Sequence, residues 1–458
     1  MNKPTLSHGY DRKNLIVILT IGFSLIAGGS FLVLPTPYAP LAVVVGLVGF
    51  IVVFRLLGEP VWALYFAIFV VLLPTSLIPA ETNSILNRLA TILAFAVWVI
   101  DLIGQKRKIV FNLSTTLLFF FIIWSAVTLT WSVDRISGAE VLQTYILRLV
   151  LFLLLMSHEI KTKKDLEVLM NVLALSGVLL EVVSLVFVAV YGYLPGTRLQ
   201  VLDVNENALG MNLLISVSGV FWWAIRPSKP SGFIKKILAG IFLLTAIALT
   251  GLSGSRGSAI SWGITLLAFL AWKETRPWGI VALVLVVLTI FVAPSIFLTT
   301  IERFSSVSRD PLLGGREYLW PAGWQLIKDH LLVGVGIGNS PYQIIPYMLN
   351  NGTPFVSLSG EALHNPLMVV WAETGIPGLL LYLGVLINAA VTFTVGYLRT
   401  RKMGLTYLSV YFELVAAMFI GFMASWIKGG GMESSFSYFL VLSLLIIPNA
   451  LKKSSFQE

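Results

Sequence analysis

The chain has 458 residues, of which 57% are hydrophobic and 12% are charged, and its formal net charge is +9. This composition excludes an ordinary soluble globular protein, and the absence of cysteine excludes disulfides, thiol catalysis and cysteine-ligated zinc. Positive loops are the usual topogenic signal of a membrane protein, so the excess of basic residues does not indicate a nucleic-acid partner.

Apolar runs that can cross a bilayer recur along the chain, since a span needs about 20 residues at a rise of 1.5 Å each. They predict an all-α polytopic membrane protein with about 14 spans. No small-residue cleavage pattern follows the first run, so we expect it to be retained as a span. The predicted spans are residues 15–34, 41–58, 61–80, 88–104, 113–132, 140–157, 167–192, 205–225, 237–253, 257–272, 278–298, 365–397, 405–427 and 433–450.

The basic residues predict how these spans are oriented. An even number of spans places both termini on one side, and the lysine-rich clusters fall on that same side, which the positive-inside rule identifies as cytoplasmic. The clusters are residues 106–108, 161–164, 235–236, 273–276, 399–402 and 452–453.

The basic residues assigned to the opposite face are mostly arginine. A planar guanidinium suits fork-like contacts with phosphate or carboxylate, so these arginines are candidate ligands for an anionic substrate. Alternatively, single members are solvated or paired with nearby acids, namely Asp134, Glu302, Asp310 and Glu317. The basic residues of this face are Arg88, Arg135, Arg198, Arg256, Arg303, Arg309 and Arg316, with Lys328 and Lys428.

One long loop on this face, residues 299–363, divides the chain into residues 1–298, the loop itself and residues 364–458. The two flanking regions are predicted to consist of membrane spans, with the last region contributing three of them. A loop of this length with helices of its own is usually functional.

Within the loop, aromatic and charged residues at helical spacing predict a helix over 317–331. We expect this helix to lie along the membrane interface with Trp320 and Trp324 near headgroup level. A flexible glycine turn over 334–338 and a second short helix near 342–349 follow. The glycines lack the Lys-Ser/Thr of a phosphate loop, so no nucleotide site is predicted.

Arg256 has the strongest claim to an anionic ligand among the arginines of this face. It lies in a tight predicted hairpin of small residues, 250–258, where a ligand can approach the backbone closely. An arginine at membrane depth needs a partner, which is either a distant carboxylate or the ligand itself.

Arg198 and Arg316 are the other two candidate anion ligands. Arg198 lies in the short loop before the span at 205–225, which Asn205 or Asn207 could cap. Arg316 follows two glycines in the long loop and has the weaker claim.

His364 is the leading candidate for a catalytic group. Asn365 is a good N-cap and Pro366 suits the first helical position, so the imidazole is expected just outside the mouth of an apolar helix. The positive end of the helix dipole disfavours imidazolium, and neutral imidazole is a competent base near pH 7. Alternatively, this histidine only shapes the turn. His330, in the long loop, is the other histidine expected on this face.

The helix that follows His364 carries an acid and two glycines. Glu373 lies about 13 Å along the helix axis, too far to orient the imidazole directly, so we expect it to serve helix packing. Gly375 and Gly378 flank Pro377 and predict close helix contact and a kink.

Arginines and one histidine together suit a reaction without a metal. The chain has no D-x-D motif, no H-E-x-x-H motif and no paired histidines, so we expect neither metal nor cofactor. A lipid diphosphate leaves readily as an anion and needs the charge stabilisation that arginine supplies. A sugar hydroxyl attacks only after a base has removed its proton.

These motifs resemble those of the O-antigen ligase and O-antigen polymerase superfamily of bacterial envelope glycosyltransferases. His364-Asn365, then nine residues, then Gly375-x-x-Gly378 resembles the ligase pattern H-[N/S/Q]-x9-G-x-x-G. The segment 315–339 resembles the stretch that precedes this histidine in the superfamily.

Arg198 and Arg256 resemble the two essential arginines that the family carries on outer loops, and the resemblance is best over residues 195–400. It implies a GT-C-like fold, for which ligases usually have 12 spans, so we expect 12–14. It also implies glycan transfer from undecaprenyl diphosphate to an acceptor hydroxyl on the periplasmic face of the inner membrane, with inversion and without nucleotide sugar.

The resemblance implies a role for each candidate residue. The two arginines, assisted by Arg316, hold the diphosphate, and His364 activates the acceptor hydroxyl. The remaining candidates support the site: Asn365, Gly375, Gly378 and His330.

Three functions stay open on sequence alone. A ligase would transfer the glycan to an acceptor such as lipid A-core, and a polymerase would transfer it to another lipid-linked unit or growing chain. A transporter or flippase would instead use the intramembrane charges as its pathway, namely Arg148, Glu181, Glu373 and Glu413. Against transport, no inverted repeat is evident and the Arg and His candidates gather on one face.

Overall fold

The computed structural model describes residues 59–72, 80–109, 111–194, 196–201, 206–225, 232–305, 316–353, 362–426 and 436–447. These residues form helices, and no β-strand occurs among them. Within these described ranges, seven helices are long and apolar enough to cross a membrane, and four more are shorter and apolar. The expected all-α polytopic fold is confirmed.

The membrane helices in chain order are α1 (Pro60–Leu72), α2 (Ala80–Gly104), α3 (Leu113–Thr128), α4 (Arg135–Arg148), α5 (Lys163–Tyr191), α6 (Glu206–Ile225), α7 (Phe233–Leu252), α8 (Arg256–Phe269) and α9 (Arg276–Val292). A π-helical segment, Leu149–Leu155, and a last turn, Met156–Glu159, extend α4. The long loop holds α10 (Leu298–Ser305), α11 (Arg316–Asp329), α12 (Ser340–Gln343) and α13 (Ile345–Asn350), and α14 (Pro366–Lys402), α15 (Thr406–Trp426) and α16 (Phe436–Ile446) follow.

Helices correspond to all predicted spans from 61–80 onward, and the spans predicted at 15–34 and 41–58 lie outside the described residues. The helices predicted in the long loop are also present. The one over 317–331 is α11, and the one near 342–349 is divided between α12 and α13.

Two pairs of neighbouring membrane helices, α3 with α14 and α8 with α15, run antiparallel. Their contacts show which helix ends lie at the same end of the bundle. On α3 and α14, Trp124 Nε1 donates to the Thr374 carbonyl at 2.7 Å and Asn388 donates to Ser114 at 2.8 Å. On α8 and α15, Gly257 packs against Ser425. The N-termini of α8 and α14 therefore lie at one end of the bundle, which we call the upper end.

The opposite, lower end carries the lysine-rich clusters of the described residues. Lys163 Nζ lies 4.1 Å from the centre of the Tyr407 ring, which joins the start of α5 to the start of α15. Arg107 binds Glu159 at 2.7 Å and so joins the turn after α2 to the end of α4. The lysine clusters and the candidate arginines among the described residues therefore lie at opposite ends of the bundle, as the sequence predicts.

A second, smaller hydrophobic cluster lies apart from the bundle core at the upper end. It combines α11, α13 and the first turns of α14. Its residues therefore come both from the predicted long loop, 299–363, and from the predicted C-terminal region, 364–458. We call this unit, residues 316–353 and 362–374, the cap. Its buried residues are Leu319, Ala322, Leu326, Ile327, Val335, Ile344, Met348, Leu363, Val369 and Ala372.

The backbone of α14 breaks where the cap meets the bundle. Gly375 has φ 65° and ψ −166°, a conformation that L-residues avoid. A Cβ at this position would overlap the backbone of Leu332. The predicted kink is confirmed, and it separates the cap part of α14 from its membrane part.

The glycine turn at 334–338 is packed rather than loose, unlike the flexible turn that its composition suggested. Val335 N donates to the Ala372 carbonyl at 2.8 Å and Gly336 N to the Glu373 carbonyl at 3.0 Å. Gly334, Gly336 and Gly338 all have positive φ, and a Cβ on Gly334 would meet the backbone of Glu373. The glycines are needed because two backbones touch here.

Candidate active site

The turn between α7 and α8 has the tight geometry that its small residues predict. Only residues 253–255 separate the two helices, and Ser255 caps α8 by accepting from Ser258 N at 3.2 Å. Gly254 has φ 61°, and a Cβ there would lie 3.2 Å from Arg198 Cγ. Arg256 is the first residue of α8 and is 5% exposed.

Arg198 extends over this turn and joins it to the start of α6. Its Nε donates to the Ser253 carbonyl at 3.2 Å and one terminal nitrogen donates to Asn207 Oδ1 at 3.1 Å. Its other terminal nitrogen lies 3.6 Å from a carboxylate oxygen of Glu206. The structure therefore brings the predicted residues Arg198 and Arg256 to the same turn.

Arg303, on α10, completes what we call the arginine cluster with Arg198 and Arg256. Arg256 donates to the Arg303 carbonyl at 3.0 Å, and Arg303 donates to the Gly254 carbonyl at 2.9 Å. A carbonyl oxygen orients a guanidinium without carrying a compensating charge. Sequence reasoning placed Arg303 on the correct face but did not assign it to the site, because nothing in its neighbourhood indicates that α10 returns to the turn.

Asn207 accepts hydrogen bonds that stabilise the arginine cluster, and it does not cap α6. Its side-chain oxygen accepts from Ser255 Oγ at 2.7 Å as well as from Arg198, and its carbonyl accepts from Ser258 Oγ at 3.1 Å. Asn207 is the second residue of α6, so its predicted capping role is wrong, while Asn205 lies outside the described residues. The amide fixes the first turn of α8 and Arg198 together.

His364 stands at the mouth of α14, as its sequence predicts. Asn365 caps this helix by accepting from Leu367 N at 3.1 Å and Met368 N at 3.2 Å, and Pro366 occupies the first helical position. His364 is half-buried and has φ 53°, a left-handed conformation that is uncommon for a residue with a Cβ. Such strain is concentrated at functional sites.

The helix α11 lies beside the first turns of α14 and runs in the same direction. Trp320 Nε1 donates to the Leu363 carbonyl at 3.1 Å, directly before His364. Further along, the rings of Trp324 and Trp371 meet edge to face with centroids 5.3 Å apart. Two indoles therefore hold the backbone that carries the histidine.

Arg316 and His330 lie at opposite ends of α11. Arg316 is its first residue, one turn before Trp320 and on the same side, so it lies toward His364. His330 follows the last residue of α11, ten positions beyond Trp320, or about 15 Å along the axis. Arg316 is therefore at the end of α11 that is nearer to His364, and His330 is at the far end.

Glu373 anchors the glycine turn of the cap. It is 4% exposed, and its carboxylate accepts from Ser340 Oγ at 2.7 Å and from Ser340 N at 3.4 Å. Gly378 packs one turn further on against Thr374, with Trp124 Cδ1 3.2 Å from where a Cβ would lie. The expectation that Glu373 and Gly378 serve packing fits these contacts.

Two ionisable groups outside the membrane helices have shifted pKa values that report on how the cap is held. Hydrogen bonds from the Ser137 hydroxyl and backbone lower the pKa of Asp134, which caps α4. Its own backbone pairs with Asn339 of the cap, with bonds of 2.8 and 3.1 Å. Burial and a hydrogen bond to Asp329 raise the pKa of Tyr347 to about 12, so its hydroxyl stays a donor.

Two groups of candidate residues thus share the upper end of the bundle. The arginine cluster belongs to the bundle, and His364 with Arg316 belongs to the cap. Within the described ranges, no three His, Asp or Glu side chains approach as metal ligands would.

A comparison with protein families matches residues 238–383 to a family model described as O-antigen ligase. The match runs from α7 to the membrane part of α14, so it includes Arg256, Arg303, the cap and the His364 motif, but not Arg198. No curated protein matches the chain. The match of residues 238–383 to the O-antigen ligase model confirms the resemblance of this part of the chain to the O-antigen ligase and polymerase superfamily.

Proposed function

We propose that this protein is a lipid-diphosphate-dependent glycosyltransferase that moves a glycan from undecaprenyl diphosphate to an acceptor hydroxyl. The arginine cluster supports this proposal most strongly, because two of its guanidinium groups donate to carbonyls of one turn of small residues and the third, that of Arg256, donates to the carbonyl of Arg303. It shares the upper end of the bundle with a histidine at a capped helix mouth. We assign this end to the periplasmic face of the bacterial inner membrane.

The arginine cluster serves the leaving group in this mechanism. Arg198 and Arg256 hold the diphosphate, whose charge increases as its bond to the anomeric carbon breaks, and stabilisation of that charge lowers the barrier. Arg303 orients Arg256 through its carbonyl and adds a third cation. Because the turn between α7 and α8 carries only small residues at 253–255, a diphosphate can approach its backbone.

His364 serves the nucleophile. Its imidazole accepts the proton of the acceptor hydroxyl as the oxygen attacks the anomeric carbon, and undecaprenyl diphosphate leaves with the bonding electron pair. Attack opposite to the leaving group inverts the anomeric configuration. Arg316, which lies toward His364, neutralises substrate charge between the two groups. The reaction as written needs no metal and no nucleotide sugar.

Transport receives less support from the structure, because two of the three acids that would form a pathway accept hydrogen bonds from neighbouring segments. Glu181 accepts a hydrogen bond from Thr245 on the neighbouring helix α7, and Glu373 accepts from Ser340. An intramembrane carboxylate held in this way joins helices rather than relaying ions.

The test is reconstitution of the purified protein with a defined undecaprenyl-diphosphate glycan. Lipid A-core and a second lipid-linked unit are offered separately as acceptors. Transfer to lipid A-core identifies a ligase, and transfer to the second unit identifies a polymerase of the same superfamily. Absence of product and of released diphosphate with both acceptors would contradict the proposal and favour a flippase.

A further inference from the structure

A large cavity lies at the lower end of the bundle, away from the arginine cluster and His364. It has a volume of about 680 Å³ and is formed by α2, α3 and the π-helical continuation of α4. Ligand cavities of proteins typically have volumes of roughly 300–1,000 Å³. Its size therefore suits a ligand.

The walls of the cavity are almost wholly apolar. The lining includes Phe95 and Trp98 on α2, Phe119 and Ile122 on α3, and Leu154 from the π-helical segment. Such π-helical segments are rare and are frequent at functional sites. These walls suit a hydrocarbon chain.

The length of the cavity matches one leaflet of a bilayer. Its lining residues on α2 run from Phe95 to Ile103, about 12 Å at 1.5 Å per residue, and the turn after α2 extends the lining further toward the lower end. Half of a hydrocarbon core of about 30 Å is close to this length. A lipid chain that enters at the lower end would reach the middle of the membrane.

Basic residues line the mouth of the cavity. Lys106 and Arg107 both belong to its lining. Lys106 is exposed and has φ 51°, a left-handed conformation. The three cations at residues 106–108 outnumber the two carboxylates next to them, Asp101 and Glu159.

Arg107 has a further hydrogen-bond donor at this mouth. One terminal nitrogen binds Asp101 at 2.6 Å and Glu159 at 2.7 Å. Its Nε is buried and has no acceptor among the described residues. An anionic ligand at the mouth would supply one.

We propose that this cavity binds an acyl chain of an anionic phospholipid from the lower leaflet, with Lys106 and Arg107 contacting its phosphate. Basic pockets between membrane helices on the cytoplasmic side are known to recognise anionic headgroups. The site is separate from the proposed donor site, because it opens at the opposite end of the bundle. The proposal does not depend on the reaction that the protein catalyses.

Native mass spectrometry of the full-length protein tests this site. The protein is mixed with equal amounts of phosphatidylglycerol and phosphatidylcholine that carry the same chains. We expect it to retain phosphatidylglycerol in preference. Lys106→Gln should weaken that retention about fivefold, since a lysine near an anionic headgroup contributes about 1 kcal/mol. Lys402→Gln, at the same end but outside the cavity, should not.

A second pair of variants tests the apolar part of the cavity. Ile146 lines the cavity and is 43% exposed, so Ile146→Trp fills space without disturbing buried packing. We expect this variant to lose retention of both lipids, and Ile100→Trp, on an exposed face of α2 outside the cavity, to keep it. Equal retention of the two lipids by the wild type, or equal behaviour of either variant and its control, would overturn the proposal.

Discussion

The arginine cluster and the cap hold their candidate functional side chains in different ways. The arginines are bound within the bundle by contacts with the α7–α8 turn and α6. His364 belongs to a separately packed unit that joins the bundle through the break at Gly375 and through the glycine turn, where Ile337 N donates to Thr128 Oγ1 at 3.0 Å. The arginines that bind the leaving group in the proposed site thus belong to the membrane bundle. The proposed base, His364, belongs to the cap, which packs onto the bundle as a separate unit.

Removal of the base should give the largest effect and separate the two regions most clearly. His364→Ala should lower the rate of glycan transfer by about 10²- to 10⁴-fold, the usual contribution of a general base. His330→Ala is the matched control, because His330 lies at the far end of α11. Product formation under saturating donor measures both variants, and an equal loss in the two would contradict the assignment to His364.

Arg256 is the sharpest probe of the arginine cluster. Arg256→Lys keeps the charge but loses the planar fork, so donor affinity should fall about 10- to 100-fold, which corresponds to a charged hydrogen bond. Arg303→Lys should show a smaller loss of the same kind. Arg135→Lys, an exposed arginine at the same end, should bind the donor normally. Normal donor binding by Arg256→Lys would rule out a bidentate contact.

Packing within the cap can be weakened without touching His364. Gly334 and Gly352 both have positive φ, but only Gly334 touches another backbone, that of Glu373. Gly334→Ala should therefore destabilise the cap by about 1–3 kcal/mol more than Gly352→Ala, since an inserted methyl must displace packed atoms. Hydrogen exchange of the cap amides measures this difference. Similar exchange in both variants would mean that the turn does not hold the cap.

Asp134 should give the smallest effect, and only in acid. Its pKa is lowered in the folded protein, so its stabilising effect is present above the ordinary Asp pKa of about 4 and is lost as the pH falls through the folded value. The protection factors of amides at the start of α4, which correct for the intrinsic pH dependence of exchange, should decrease as the pH falls below about 4. Asp134→Asn should reduce this pH dependence, and Glu140→Gln, on an exposed site of the same helix, should not.

Much of the fold follows from hydropathy, because a membrane helix must satisfy its backbone hydrogen bonds internally and needs a long apolar run. Part of the cap, the segment that carries His364, could also be predicted from the sequence. Asn365 and Pro366 mark the helix start by local chemistry, and Gly375 and Gly378 mark the break.

Contacts between segments distant in sequence could not be predicted in the same way. Arg303 and Asn207 reach the α7–α8 turn from 47 and 48 positions away. The glycines at 334–338 suggested a loose turn, because glycine-rich composition indicates conformational freedom. Composition does not show that the backbone of another segment packs against this turn. The sequence made His364 the leading candidate and His330 the other histidine of this face, and the parallel packing of α11 along α14 places His330 at the far end of α11.

In the proposed mechanism, the arginine cluster binds the donor and His364 removes the proton of the acceptor. Titration of purified protein with the undecaprenyl-diphosphate glycan, without acceptor, measures binding alone. We expect Arg256→Ala to lose donor affinity by 10-fold or more, because a charged hydrogen bond is lost. We expect His364→Ala to bind the donor within about twofold of the wild type. Equal loss of donor affinity in the two variants would contradict the division of roles.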